Sequence, residues 1–420
     1  MLIYYLLLMC ERFHDYPHLN SQLFSAVFVP VTITKIVGVV AVVTAMMVPR
    51  PAAIGAERRP IALLFVAFGL WSLLGTLAFG APLPAVSLSY LSSLALLMVA
   101  TRRLVCTPDR ARNVIRVSVL AAGLATAWCY KQHFVEGAAR AWGVGLDPNY
   151  EALSMVMMIP LAVWMARADS GRFWRMVGAV AAVSLVGAAF LTQSRGGLVA
   201  LAVVVVAAGS RMKGKPAARV ALLLTFGVFI GVAPSGLWRR FENIRFSGPA
   251  ANGDETAARA RLELIAAGLA MVESHPLFGV GLDRFKAIAP RYDPRLRDLG
   301  TQYIAHNTYL QVAAETGLPG LILFLALMAA GFGNCRTAER DANDPALAGF
   351  AAALRLALLA YAIAGLFLTA EFVVWYWLLI FLSRNLCEGA ALGRSLDPRE
   401  LPAAAAPHED AARPRAIRYA

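Results

Sequence analysis

Few residues of this chain could do chemistry, and they gather in a handful of stretches. The richest is HNTYLQVAAETGLPG, residues 306–320. Asn307, Gln311 and Glu315 recur at i, i+4 and i+8, which puts them on one helix face, and His306 stands at its start. With an ordinary pKa of about 6.5, an imidazole there suits general-base work. A second stretch, Thr192-Gln193-Ser194-Arg195-Gly196-Gly197, reads as a tight turn. Arg195 beside two glycines can offer a guanidinium fork and open backbone N–H groups to a phosphate. Third come Arg259 and Arg261, two arginines near an expected helix start, where they can hold an anion. Fourth is Asp147-Pro148-Asn149, with Glu151 following. Each stretch also has a plainer reading: a hydrated helix end, a hairpin turn whose arginine snorkels, a solvated arginine pair, and a turn with a helix-start signal. For Asp147 and Asn149 the plainer reading leads.

Taken together, these groups can hold a diphosphate with arginines and deprotonate a hydroxyl with His306. The sequence has no Asp-x-Asp pair for a nucleotide-sugar and its metal, no Walker loop and no Gly-x-Ser-x-Gly elbow. No His, Cys or carboxylate cluster has metal-ligand spacing. The chemistry expected is therefore free of metal and of cofactor.

The elements that must position these groups belong to a membrane. Hydrophobic residues make up 59% of the 420 and charged residues 15%, against roughly 45–50% and about 25% in soluble domains. Mean hydropathy is +0.61, and the apolar stretches recur along the chain, so a polytopic, all-α membrane protein is expected. Candidate spans are 1–10, 22–48, 60–80, 85–100, 113–130, 150–167, 175–192, 196–210, 217–233, 306–333, 347–369 and 371–384, about twelve in all. The net charge of +13 sorts by side. Arginines and lysines crowd alternate loops (49–59, 101–112, 167–175, 211–219, 336–340) and the tail, which places both termini in the cytoplasm. No nucleic-acid motif accompanies that charge, and the five scattered cysteines suggest neither disulfides nor zinc.

One connection is long. Residues 234–305 carry ten Lys and Arg against eight acids on the side expected to face outward. Within it, TAARARLELIAAGLAMVESHP predicts an amphipathic helix with Leu262, Ile265, Leu269 and Val272 on its apolar side. That helix should stop at His275-Pro276, and FGVGLDRF and PRYDPRLRD beyond it read as turns. The organisation expected is an N-terminal bundle of about nine spans over 1–233, the outer loop over 234–305, C-terminal spans over 306–384, and a disordered tail over 385–420.

HNTYLQVAAETGLPGLILFLALM, preceded by RLELIAAGLAMVESHPLFGVGLDRF and earlier by LTQSRGGLVAL and DPNYEAL, resembles the O-antigen ligase and O-antigen polymerase superfamily. The similarity runs from about Asp147 to Met328. It implies a GT-C-like integral glycosyltransferase of the bacterial inner membrane. Such an enzyme takes a glycan from undecaprenyl diphosphate at the periplasmic face and passes it to lipid A-core, to another repeat unit or to protein. By that resemblance the family's loop arginine falls on Arg261, its turn arginine on Arg195 and its histidine on His306. The arginines would bind the diphosphate and His306 would activate the acceptor hydroxyl, with Arg259, Asn307, Gln311, Glu315, Asn149 and Asp147 around the substrate. Where many members carry a tryptophan after the loop arginine this chain has Ile265, which leaves Arg259 as the alternative to Arg261.

Two readings from other classes compete. A secondary transporter also has about twelve spans with buried polar groups, but it predicts paired broken helices in two related halves, and none is visible. A glycan-lipid scaffold would keep the same cavity without turnover.

Overall fold

The structure, a computed structural model, describes residues 1, 33–47, 60–81, 83–144, 147–212, 214–231, 253–299 and 304–395. The expected span 1–10 and the first part of 22–48, with Pro30, lie outside the described residues. Among those described there are helices and no strands. They are α1 (Ile33–Met47), α2 (Ile61–Ala78), α3 (Ala85–Leu104), α4 (Pro108–Tyr130), α5 (Pro148–Ala168), α6 (Arg172–Leu191), α7 (Arg195–Ser210), α8 (Pro216–Gly231), α9 (Gly253–Ser274), α10 (Phe285–Tyr292), α11 (Thr308–Asp341), α12 (Pro345–Ala364) and α13 (Val374–Ser395). A π-turn over Lys131–Val135 extends α4, and a 3-10 turn over Pro294–Leu299 follows α10.

Six helices (α2, α4 with its extension, α5, α6, α11 and α12) are long and apolar enough to cross a membrane, and α7 and α8 are shorter apolar helices. The expected count of twelve is thus met only in part among the described residues. Helix ends follow local signals that hydropathy misses. α4 begins at Pro108 rather than 113 because Thr107 caps it, its hydroxyl accepting from Arg110 N. α11 and α13 outrun their expected spans, to Asp341 and Ser395. Residues 385–395, assigned to the tail from sequence, therefore continue α13, and Leu386 and Ala390 are buried in it.

Apolar side chains gain little from leaving lipid for one another, so close packing has to hold the helices together. Small residues supply it. A Cβ on Gly178 of α6 would meet Ala166 N at 2.6 Å and Ala162 O at 2.9 Å on α5. An aromatic cluster fills the middle: Phe68 of α2 and Phe324 of α11 pack with Trp377 of α13, and Tyr361 stacks on Tyr376 at 3.8 Å.

The basic connections meet at one end of the bundle. Arg116 of α4 makes a two-pronged pair with Asp169 after α5 (2.8 and 2.5 Å), and Arg211 after α7 approaches Glu339 of α11 at 3.8 Å. The starts of α5, α7 and α11 lie at the other end.

Two expectations for the long loop are corrected. The predicted helix forms as α9 and ends at Ser274, before Pro276. Its buried side, however, is Leu264, Ala267 and Met271, while Leu262 and Leu269 are 54% and 52% exposed. The helix is apolar on two sides, and the one with small residues wins because Gly268 lets Leu310 and Phe285 come close. The segment after it, read as turns, contains α10 and the 3-10 turn. Their Phe285, Ile288, Ala289 and Leu296 form a small core with α9.

Candidate active site

α11 breaks at Gly317, whose φ of 72° and ψ of 179° leave the helical region. The loop 275–284 lies across the break and answers the backbone groups it frees. Val280 N donates to Ala314 O (2.8 Å), Gly281 N to Glu315 O (3.0 Å) and Leu318 N to Pro276 O (2.7 Å). Only glycine fits at 279, where φ is +67° and an added Cβ would collide with the Glu315 backbone. Of the polar stripe expected along α11, Gln311 and Glu315 bond to one another and are committed to this joint. The Glu315 carboxylate, buried, accepts from Asp283 N (2.9 Å), Phe285 N (3.2 Å) and Gln311 Nε2 (2.6 Å), capping α10. Gln311 Oε1 in turn accepts from Ala305 N (2.9 Å), beside His306. Asn307 is the N-cap of α11, its Oδ1 accepting from Tyr309 N and Leu310 N, both at 3.0 Å.

His306 itself is held in the left-handed region, φ 50°, a conformation that costs a non-glycine residue about 1–3 kcal/mol. The other non-glycine residues so placed among those described are Gln193 and Asp283, φ 50° and 53°. All three sit in segments that the sequence marks out. The imidazole Nδ1 is buried and has no hydrogen-bond partner among the described residues. Burial holds the ring well below its ordinary pKa of 6.5, at about 4; the positive charge of Arg261 lowers it further and Asp147 opposes the fall. Hence Arg261 and Asp147 both act on His306. Arg261, half-buried, stands one turn before buried Leu264 on α9. The Arg259 side chain lies outside the described residues.

The turn before α7 joins the start of α5. Ser194 caps α7, its Oγ accepting from Gly197 N (3.3 Å), and donates to Asn149 Oδ1 (3.0 Å). Asp147 caps α5 through Asn149 N and Tyr150 N (2.7 and 3.2 Å). Arg140, which sequence reasoning passed over as one loop charge among several, ties the two together: its Nη2 donates to Asn149 Oδ1 (2.9 Å) and its Nε to Thr192 O (2.8 Å). No motif marks Arg140; only the fold brings it there.

A second omission is the turn between α12 and α13. Thr308 N donates to Gly365 O (2.8 Å), and the Thr308 hydroxyl donates to Leu368 O (2.6 Å) and accepts from Ala370 N (3.0 Å). Tyr150 Oη donates to Thr369 O, and Gly196, next to Arg195, abuts Phe367. This turn therefore gathers the N-termini of α5, α7 and α11, three partly positive helix ends. The carbonyls of the returning α6 are answered by protein donors, Ala141 N to Leu191 O (3.0 Å) and Arg140 to Thr192 O. What converges is three helix N-termini, with Arg195 at the start of α7 and one imidazole just before α11, an arrangement suited to an anion and a nearby hydroxyl. On the same turn Glu371 has a buried carboxylate oxygen without a hydrogen-bond partner among the described residues. Burial pushes that carboxyl up to about 7, and the charge of Asp283 adds to the rise. Among the described residues no group of three His, Cys, Asp or Glu could hold a metal ion.

Residues 179–325 match the family described as O-antigen ligase, Wzy_C. That match covers about a third of the chain and supports a likeness to the O-antigen ligase and polymerase superfamily. The match spans α6 to the first half of α11, and with it Arg195, Arg259, Arg261, His306, Gln311 and Glu315; Asp147 and Asn149 precede it. No curated protein matches the chain. Its membrane-length helices and the family match support a multi-pass membrane protein.

Proposed function

We propose that this protein is an O-antigen ligase-like glycosyltransferase of the bacterial inner membrane, working at the periplasmic face. Its donor is a glycan on undecaprenyl diphosphate, and its acceptor a hydroxyl of lipid A-core or a similar molecule. Arg195 and Arg261 hold the diphosphate, the guanidinium fork matching phosphate oxygens two at a time. The helix N-termini of α5, α7 and α11 add fixed positive potential. The acceptor oxygen attacks the anomeric carbon, the bond from that carbon to the diphosphate oxygen breaks, and the leaving diphosphate keeps the electron pair. The hydroxyl proton passes to His306. Asn307, Gln311 and Glu315 fix the approach of His306, and Asp147 and Asn149 fix the turn that carries Arg195.

The observation that carries this reading is the geometry of His306: strained, at the head of α11, with a buried nitrogen that has no hydrogen-bond partner among the described residues, and within the field of Arg261. Resting, it is a weak base. A bound diphosphate would offset the charge of Arg261 and raise the imidazole pKa, so basicity would rise with the donor in place. Repeat-unit polymerisation and protein glycosylation use the same donor chemistry and differ in the acceptor. The test is glycan transfer by purified His306→Ala and Arg261→Ala in lipid. Both should lose transfer while melting near the wild-type temperature; full transfer in both rejects the site. Deletion in the host separates the acceptors. Accumulated lipid-linked polymer supports a ligase, single repeat units a polymerase, and loss of one protein-bound glycan a protein glycosyltransferase.

A further inference from the structure

The end of the bundle away from His306 has a site of its own. There the last turns of α11 and the body of α12 border an open cavity of about 570 Å³, lined by Arg336, Thr337, Glu339, Arg340 and Arg355. Along α11, Arg336 lies about 40 Å from Thr308 at 1.5 Å per residue, so this cavity is separate from the one described above. Its charges do not balance. Arg355 Nη2 lies 2.7 Å from Glu339 Oε2, and Arg211 Nη1 lies 3.8 Å from the other oxygen of the same carboxylate. Arg340 Nε pairs with Asp341 at 2.7 Å. Four arginines thus meet two carboxylates, and two of the four share one of them. Arg336 is exposed and has no partner among the described residues, and the buried Nη1 of Arg211 makes no hydrogen bond.

The depth of Arg355 says what could complete the set. It stands ten residues into α12, about 15 Å from the helix start, with its side chain only 23% exposed. A charge at that position in an apolar helix is costly unless it is paired or reaches the interface. Glu339 pairs it in part, and Arg336 and Arg340 form an exposed rim beyond. A free anion entering here would give up hydration with no apolar portion to offset the loss. A phospholipid keeps its tails in the hydrocarbon beside these helices, and its phosphate accepts from several guanidinium groups at once. We propose that this cavity binds the phosphate of an anionic phospholipid headgroup. Under the topology proposed above, the lipid belongs to the cytoplasmic leaflet; the binding chemistry is independent of that topology and of the transfer reaction.

The experiment compares protein in vesicles of phosphatidylcholine with protein in phosphatidylcholine plus phosphatidylglycerol. It reads melting temperature, and the lipid retained in native mass spectrometry. Phosphatidylglycerol should raise the wild-type melting temperature and leave one retained anionic lipid. The exposed pair Arg336→Gln with Arg340→Gln should fold normally, lose most of that rise and retain the lipid about tenfold more weakly or worse. Arg355→Gln should act likewise; if it fails to fold, the rim pair decides. An undiminished rise and retention in the rim pair overturns the proposal, as does equal melting of the wild type in both vesicles. Inorganic phosphate in the phosphatidylcholine vesicles should produce no rise; if it reproduces the whole effect, the site takes free anions and the lipid assignment is wrong.

Discussion

Glu315→Gln separates a residue that positions the site from one that touches substrate. The wild-type carboxylate answers three donors, with Oε1 accepting from Phe285 N and Gln311 Nε2 and Oε2 from Asp283 N. An amide keeps one acceptor oxygen. In its milder orientation Gln satisfies Phe285 and Gln311 and turns an NH2 toward the Asp283 N–H. One hydrogen bond to a charged group is then lost and a buried donor is left unanswered, about 3 kcal/mol in all. At about 1.4 kcal/mol per factor of ten, local opening of this joint should become roughly 100-fold more frequent. Hydrogen–deuterium exchange read by mass spectrometry should therefore show the Asp283 and Phe285 amides exchanging about 100-fold faster. Peptides from α5 serve as the unchanged reference. Transfer should fall as well, since Gln311 links Glu315 to Ala305 and so to His306. Unchanged exchange with lost transfer would mean that the carboxylate meets substrate; unchanged exchange and transfer would mean that it does not position the site.

Arg195→Lys keeps the charge but exchanges a planar fork for a point, so transfer should fall about tenfold or more; wild-type rates would rule out paired phosphate contacts. With His306 at about 4, the imidazole is neutral above that pH, so kcat/KM should stay level from pH 8 to 5 and drop only as pH nears 4. A drop centred near 6.5 would contradict the burial of His306. Glu371 titrates at about 7 in the folded chain against an ordinary 4.5, so the folded state holds the extra proton between those values. Stability should fall as pH rises through that window. Glu371→Gln should therefore melt higher than wild type at pH 8 and equally at pH 4, and equal melting at both would refute the burial argument. Added chelator should leave transfer intact; inhibition reversed by a divalent cation would bring a metal into the mechanism.

Much of the molecule could be read from residue order because the signals are local. Twenty-residue apolar runs mark α2, α5, α6 and α12 within a few residues, and Pro276 marks the end of α9. His306 and Asn307 stand out because polar groups at the head of an apolar helix need a reason. What could not be read depends on pairing across the chain. The buried side of α9 is chosen by Leu310 and Phe285 through Gly268, not by the leucines at 262 and 269. The role of Gln311 and Glu315 as a link from Ala305 to α10 requires the 275–284 loop to lie over the Gly317 break. Arg140 reaches Asn149 nine residues away and Thr192 fifty-two away, and no periodicity announces either contact. The turn after α12 gathers the starts of α5 and α11 through backbone carbonyls, which have no signature in side-chain order, and that of α7 through Phe367.

The most direct measurement is a cryo-electron microscopy map of the protein in nanodiscs with undecaprenyl diphosphate bound. The two phosphates should lie against Arg195 and Arg261, within reach of His306 and the N-termini of α7 and α11. Phosphates found instead among Arg336, Arg340 and Arg355, or away from His306 altogether, would contradict the proposed transfer site.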